Sequence, residues 1–165
     1  MSRLVHPQFT RSTSASFTVK DVNTEHQNTP TTIVLVDPTS PDGETSIGLI
    51  DDGVENLALV VLLTGRASNA LRDYAIGEGT TVGSAAWTYL DRLTPRVMGR
   101  GRRIEHVVAN GPDTANELAA VAADRDTRAI VLPASTLRLD PTVIERLERL
   151  TAVPVTVVEL ANRRI

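Results

Sequence analysis

Cysteine is absent from this chain of 165 residues, and aromatic residues make up only 3% of it. The absence of cysteine excludes disulfide bonds, thiolate nucleophiles and cysteine-ligated zinc or iron–sulfur centres. With so few aromatic rings, the hydrophobic core has to be built from Val, Leu, Ile and Ala. Lys20 is the only lysine among 17 basic residues, a bias that we attribute to a GC-rich coding sequence rather than to recognition chemistry.

The sequence also lacks a long apolar run and an excess of positive charge. Its longest apolar run, Leu57–Leu63, is far shorter than the about 20 residues of a membrane-spanning helix, and the first residues lack the apolar segment of a secretory signal. The formal net charge of −3 gives no overall attraction to nucleic acid or to an anionic membrane. We therefore expect a soluble, cytoplasmic protein with neither of these partners.

Five short apolar runs after residue 31 predict the fold. They are rich in Val, Ile and Leu, and segments with helical periodicity separate them, which is typical of parallel strands buried on both faces. The runs are Ile33–Val36, Leu57–Leu63, Ile104–Ala109, Ala129–Leu132 and Val153–Leu160. Strands that alternate with crossover helices predict an α/β protein, a three-layer sandwich around a five-stranded parallel sheet.

Helix signals of different strength lie between these runs. Gly111-Pro112 and Asp140-Pro141 each combine a start signal with an apolar stripe and predict two helices. The second stripe consists of Val143, Leu147 and Leu150. A third helix begins at Thr81, with a break or kink near Pro95, and a short helix over Ser68–Ile76 precedes it. Residues 44–56 predict a helix, with a hairpin turn at 51–53 as the alternative.

Residues 1–31 differ from the rest of the chain. They are rich in Ser, Thr, Asn and Gln and poor in apolar residues, a composition that builds no core of its own. Alternation of Phe17 and Val19 with polar neighbours predicts one short strand within 16–22 that adds to a sheet edge, with a partner subunit as a possible acceptor. We predict a polar arm over 1–31, disordered or strand-exchanged, and one α/β domain over 32–165.

Two segments resemble a known family. TIVLVDPTS at 32–40 looks like the first strand of the universal stress proteins, with Asp37 as its strand-ending acid. AVPVTVVEL at 152–160 is similar to the proline-containing apolar strand that closes their sheet. The resemblance implies an adenine nucleotide alpha hydrolase-like fold with strand order 3-2-1-4-5 and dimerisation through the fifth strand. In one subgroup it also implies ATP at the carboxyl ends of strands one and four.

The predicted ligand site is the crevice at those carboxyl ends, because a doubly wound sheet opens where its strand order reverses. Polar side chains from the loops at this end of the sheet are expected to line it. They are Asp37, Thr39, Ser40, Thr64, Arg66, Ser135 and Thr136.

The loop after the fourth strand departs from the family's pattern. ATP-binding members share a glycine-spaced loop, G-x2-G-x9-G-S/T, whose bare backbone lets amide N–H groups close on the phosphates. Here Pro133 stands at the first glycine, Thr136 at the second, and a predicted helix at the third. Each replacement adds bulk or removes an N–H donor. We therefore expect no ATP in the family's usual manner. ATP or AMP held by Asp37 and the hydroxyls of Ser135 and Thr136 is the alternative.

No other pattern indicates catalysis or metal binding. A G-x-S-x-G nucleophile motif is missing, His6 and His26 fall in the arm, and His106 lies within a strand, where we expect it at a sheet edge. The acidic residues of 44–55 predict a solvated loop rather than a cation site. The arginines of 92–103 predict a solvated rim rather than a surface for nucleic acid. We predict no catalytic residue and no metal.

The last strand is the predicted dimer interface. A nearly unbroken apolar strand at a sheet edge exposes an unpaired ladder, which antiparallel pairing with a second copy satisfies. The interface residues are Val153, Val155, Val157, Val158 and Leu160. We predict a non-enzymatic, homodimeric protein similar to universal stress proteins, without a cofactor, that acts in stress response through regulation or protein interaction. The alternative is a nucleotide- or small-ligand-binding module that uses the crevice.

Overall fold

Seven β-strands form one mixed sheet in the computed structural model, which describes residues 9–12, 17–21, 30–38, 56–63, 65–97 and 103–158. The strands are β1 (Phe9–Ser12), β2 (Phe17–Asp21), β3 (Thr31–Val36), β4 (Asn56–Leu62), β5 (Arg103–Ala109), β6 (Thr127–Pro133) and β7 (Val155–Val158). Their order across the sheet is β1-β2-β5-β4-β3-β6-β7.

The five strands from β3 to β7 are parallel to one another and form the centre and one side of the sheet. Every residue of β3 and β4 is buried, as expected for parallel strands that helices cover on both faces. Counted from β3, these five strands follow the order 3-2-1-4-5. The α/β class and this arrangement of the parallel strands agree with the expectation.

The complete sheet differs from the predicted five-stranded parallel sheet, because two antiparallel strands extend it. β1 pairs with β2, and β2 pairs with the outer edge of β5. Val19 of β2 is buried in the core of the domain, so the hairpin buries apolar surface and covers a sheet edge at the same time. The alternation at 16–22 predicted β2, whereas β1 carries no apolar alternation that would have predicted it.

Helices cover both faces of the sheet. They are α1 (Gly65–Glu78), α2 (Val82–Val97), α3 (Thr114–Ala123), α4 (Ala134–Leu139) and α5 (Val143–Leu150). α1 and α2 pack on the face that carries Val34 and Val36, whereas α3 and α5 pack on the face that carries Ile33 and Leu35. None of the helices within the described ranges has the length and apolar character to cross a membrane.

Three local expectations for the helices have different outcomes. Pro95 lies in the last turn of α2, which continues to Val97, so the helix does not break at the proline itself. Leu150 ends α5 and is 50% exposed, since the stripe that buries Val143 and Leu147 no longer faces the sheet at the last residue. The helix or hairpin predicted over 44–56 lies outside the described residues, apart from Asn56, which begins β4.

Candidate functional site

The crevice lies where β3 and β6 end side by side. These two strands are parallel neighbours, so their carboxyl ends meet at one edge of the sheet. From β3 the chain continues to β4, which lies on one side of β3 in the sheet, and from β6 it continues to β7, which lies in the opposite direction across the sheet. This reversal of strand order is where doubly wound sheets open for ligands. Asp37 and Pro38 follow β3, and α4 begins directly after Pro133 of β6.

Asp37 and Ser135 form a direct contact across this crevice. Ser135 Oγ donates a hydrogen bond of 2.9 Å to Asp37 Oδ2, joining residues that lie 98 positions apart in the chain. Side chains alternate between the two faces of a strand. Ile33 and Leu35 belong to the core under α3 and α5, so Asp37 continues that side of β3. Asp37, which follows β3, is therefore hydrogen-bonded to Ser135 of α4, the helix that follows β6.

The chain after β6 is a buried helical turn. Pro133, Ala134, Ser135 and Thr136 are all buried, and Ser135 is only 5% exposed. Pro133 precedes α4 with φ of −76°, a value that the proline ring imposes. The Thr136 carbonyl accepts a hydrogen bond of 2.9 Å from the Asp140 amide, and Leu137 packs against the core. Side chains and helical hydrogen bonds thus occupy the place that the glycine-spaced loop would take.

The structure describes three of the seven predicted site side chains. Asp37, Ser135 and Thr136 lie together at the crevice, with Thr136 next to Ser135 in the first turn of α4. Thr39, Ser40 and Thr64 lie outside the described residues, and so does the side chain of Arg66, whose backbone belongs to α1. Their place in the site stays a prediction.

An ion-pair network that the sequence did not reveal joins α3 to α5. Arg146 of α5 donates hydrogen bonds of 2.9 and 2.6 Å to the Asp113 carboxylate and one of 2.6 Å to Asp140. Asp113 is also the N-cap of α3 and accepts a bond of 3.1 Å from the Asn116 amide. The network therefore ties the start of α3 to the turn between α4 and α5.

The network lowers the pKa of both carboxyl groups. Hydrogen bonds from Arg146 and from the Asn116 amide hold the pKa of Asp113 below its usual value. Burial raises the pKa of Asp140, but hydrogen bonds from Arg146 and Thr142 outweigh that effect and its pKa lies below the usual value. The same two carboxylates raise the pKa of Arg146. These groups stay charged near neutral pH and stabilise the contact of α5 with the start of α3 and with the turn before α5.

Carboxylates of the chain itself face the amino end of α3. A Cβ atom added at Gly111 would overlap the Glu117 carboxylate, which therefore lies against the Gly111 backbone. Asp113 caps the same end. Negative side chains stabilise a helix N-terminus through its dipole and oppose a bound anion there. An anion at this end of α3 would therefore meet two carboxylates of the chain itself.

His106 is a buried residue of the sheet interior, so the expectation of a sheet edge was wrong. β5 lies between β4 and β2, and His106 is 1% exposed. Its Nε2 lies 2.7 Å from Thr94 Oγ1, and its Nδ1 lies 3.5 Å from Asp91 Oδ1. Hydrogen bonds compensate a buried polar group. Within the described part of the chain, no group of three or more His, Cys, Asp and Glu side chains is placed to hold a metal.

The predicted arginine rim divides into separate environments. Arg103 is largely buried and lies 3.5 Å from Glu105, which also contacts Arg125 at 3.2 Å. These contacts of Glu105 with Arg103 and Arg125 lie at the amino end of β5, away from the crevice. Arg103 is therefore not part of a solvated rim. Arg92 and Arg96 are exposed on α2, whereas Arg100 and Arg102 lie outside the described residues.

The predicted dimer strand forms one end of the described sheet. β7 pairs with β6, and the Ile130 amide donates a bond of 2.9 Å to the Pro154 carbonyl just before β7 begins. Val153 and Val155 pack against the core, Val157 and Val158 are half-buried, and Thr156 is exposed. Leu160 lies outside the described residues. The edge position agrees with the prediction, and the dimer itself stays a prediction.

Strand order, helix placement and the crevice together define an α/β protein of the doubly wound class. No family model and no curated protein matches the chain. The solved structures similar to it include two of proteins described as hypothetical. PH0823 matches with a TM-score of 0.55 at 15% identity, covering 80% of this chain and 98% of its own.

The second structure belongs to MJ0577, whose biochemical function was assigned from its structure. It matches with a TM-score of 0.58 at 15% identity, over 81% of this chain and 98% of its own. At this identity the similarity concerns the fold. The matches support a fold like that of the universal stress proteins.

Proposed function

We propose that this protein is a non-enzymatic, homodimeric domain like the universal stress proteins, whose nucleotide crevice is closed and which acts through contacts with other proteins. The observation that carries the proposal is the hydrogen bond between Ser135 and Asp37, made by a buried helical turn at the end of β6. The role in stress response rests on the family resemblance.

Phosphate binding at this turn meets three obstacles. Pro133 has no N–H to donate. The side chain of Thr136 is buried in α4, where a glycine would let the backbone approach an oxygen anion. Ser135 donates its hydroxyl proton to Asp37, so this hydroxyl has no proton left to donate to a phosphate oxygen. Together these features favour a crevice closed by the chain itself over one that holds a triphosphate.

A nucleotide titration tests the closed crevice. A ligand at a hundredfold excess over its Kd stabilises the native state by about 2.7 kcal/mol, which corresponds to a rise in Tm of roughly 5–10 °C for a chain of this size. We expect no saturable rise in Tm with ATP, ADP or AMP, with or without Mg²⁺. A saturable rise with any of them would establish the alternative function, a nucleotide-binding module.

Two double variants test whether the side chains of Pro133 and Thr136 cause the exclusion of nucleotides from the crevice. Pro133→Gly with Thr136→Gly restores the two glycine positions, and we expect it to gain a nucleotide-dependent rise in Tm. Pro141→Gly with Thr142→Gly changes the same residue types in the exposed turn before α5 and should gain none. Equal behaviour of the two variants would show that the side chains at the crevice do not cause the exclusion.

The dimer proposal rests on the backbone of β7. Residues of a strand direct their N–H and C=O groups alternately to the two sides. The bond from Ile130 to Pro154 directs that carbonyl to β6, so the groups of Val155 and Val157 face away from β6. Open strand edges attract a further strand. A second copy in antiparallel orientation satisfies them with two-fold symmetry.

Sedimentation equilibrium tests the dimer. We expect the unaltered chain to be dimeric at micromolar concentration. Thr156→Lys should weaken association, because two lysines near the two-fold axis repel each other across the paired strands. Ala152→Lys adds the same charge at an exposed position outside β7 and should leave association nearly unchanged. A monomeric unaltered chain would contradict the proposal.

A further inference from the structure

A cavity lies between α1 and α2, on the opposite face of the sheet from the contact between Asp37 and Ser135. It has a volume of ≈ 200 Å³ and is lined by Pro38, Ala70, Leu71, Tyr74, Tyr89 and Arg92. Side-chain alternation along β3 separates it from the contact between Asp37 and Ser135. Val34 and Val36 belong to the core under α1 and α2, and Pro38 continues that side, whereas Asp37 points to the other.

Arg92 is positioned at this cavity as an anion-binding group. Its Nη2 donates a hydrogen bond of 2.8 Å to the Tyr74 hydroxyl, and its Cζ lies 5.2 Å from the centroid of the Tyr74 ring. No ion pair joins Arg92 to a carboxylate within the described ranges. A guanidinium has five N–H donors in a planar fork, and the bond to Tyr74 uses one of them. Tyr74 therefore orients a cation that keeps donors for a ligand.

The rest of the cavity favours a flat apolar group. Leu71 and Tyr89 are buried in the core and form walls together with Ala70 and Pro38. Aromatic rings pack favourably against such walls and edge-to-face on a tyrosine. A cavity of about 150 Å³ holds a benzene molecule, so ≈ 200 Å³ admits one ring with a carboxylate. Free phosphate would leave the apolar walls uncovered.

We propose that this cavity binds a small aromatic carboxylate. The carboxylate lies against the Arg92 guanidinium, which presents two parallel N–H donors to its two oxygens. The Tyr74 hydroxyl, which accepts from Arg92, donates its own proton to the carboxylate. The ring lies against Leu71 and Tyr89. This site is independent of the closed crevice and of the dimer.

Three probe molecules separate the contributions of charge and ring. Benzoate carries both, benzamide has the same shape without the charge, and acetate has the charge without the ring. In an amide-resolved NMR titration of the full chain, we expect saturable benzoate shifts at Ala70, Leu71 and Tyr74. Arg92 is exposed, so solvent weakens its pairing with a carboxylate, and we expect benzoate to bind roughly two- to fivefold more tightly than benzamide. Acetate should bind more weakly than benzoate.

Variants test the assignment of Arg92. Arg92→Gln should weaken benzoate binding roughly two- to fivefold and leave benzamide nearly unaffected. Arg72→Gln is the matched control, since Arg72 is exposed on the same helix as Tyr74 and bonds to Asn69 instead of lining the cavity. The proposal is overturned if benzoate gives no saturable shift at these residues, if benzamide binds as tightly, or if both variants bind benzoate equally. The comparison of benzoate with benzamide needs no variant.

Discussion

The hydrogen bond between Ser135 and Asp37 predicts a measurable coupling of the two side chains. Hydrogen bonds to charged groups contribute about 1.5–3 kcal/mol to stability. Asp37 is partly exposed, so water replaces part of the bond when Ser135→Ala removes the hydroxyl. Ser135 is buried, so Asp37→Ala leaves its hydroxyl without that acceptor. We expect a coupling free energy of about 1–2 kcal/mol in a double-mutant cycle.

Urea unfolding of the four proteins of the cycle measures this coupling. Trp87 is the only tryptophan in the chain, and it packs against the core on the opposite face of the sheet. Its fluorescence therefore reports unfolding of the whole domain rather than a change at the crevice. Ser84→Ala, a serine exposed in the first turn of α2, is the control and should change stability by less than about 0.5 kcal/mol.

A coupling below about 0.5 kcal/mol would refute this reasoning, because independent sites add to within that margin. The two side chains would then be neighbours without a stabilising bond. The crevice would lose the contact that closes it, and the proposal that the chain excludes nucleotides would lose its main support.

Two further predictions concern stability. Asp113 and Asp140 have pKa values below the usual value of 3.8, so their contribution is complete above that pH and is lost as the pH falls through the lower folded values. Arg146→Gln should therefore reduce the loss of Tm on acidification from pH 5, and an unchanged pH profile would contradict the network. Leu118 is fully buried and Leu150 is half-exposed, so Leu118→Ala should cost about 2–5 kcal/mol in urea unfolding and Leu150→Ala far less.

Local patterns in the sequence determined most of the parallel core. Nearly continuous apolar runs predicted the positions of β3 to β7, because parallel strands covered by helices on both faces bury most of their side chains. Apolar stripes predicted the presence of α3 and α5. Their N-caps are Asp113 and Thr142, two residues after the start signals predicted at Gly111 and Asp140. Asp37 and Ser135 entered the candidate site through their place after strands of a doubly wound sheet.

Only the tertiary structure decided which side chains meet. The hairpin of β1 and β2 covers the edge of β5, and this pairing moves His106 from the predicted edge to the interior. Hydrogen-bond partners 98 positions apart, such as Asp37 and Ser135, depend on strand register. Arg146 with its two carboxylates and the cavity beside Arg92 depend on how helices pack. Periodicity is a property of neighbouring residues, whereas these contacts are set by the packing of distant segments, which no local pattern records.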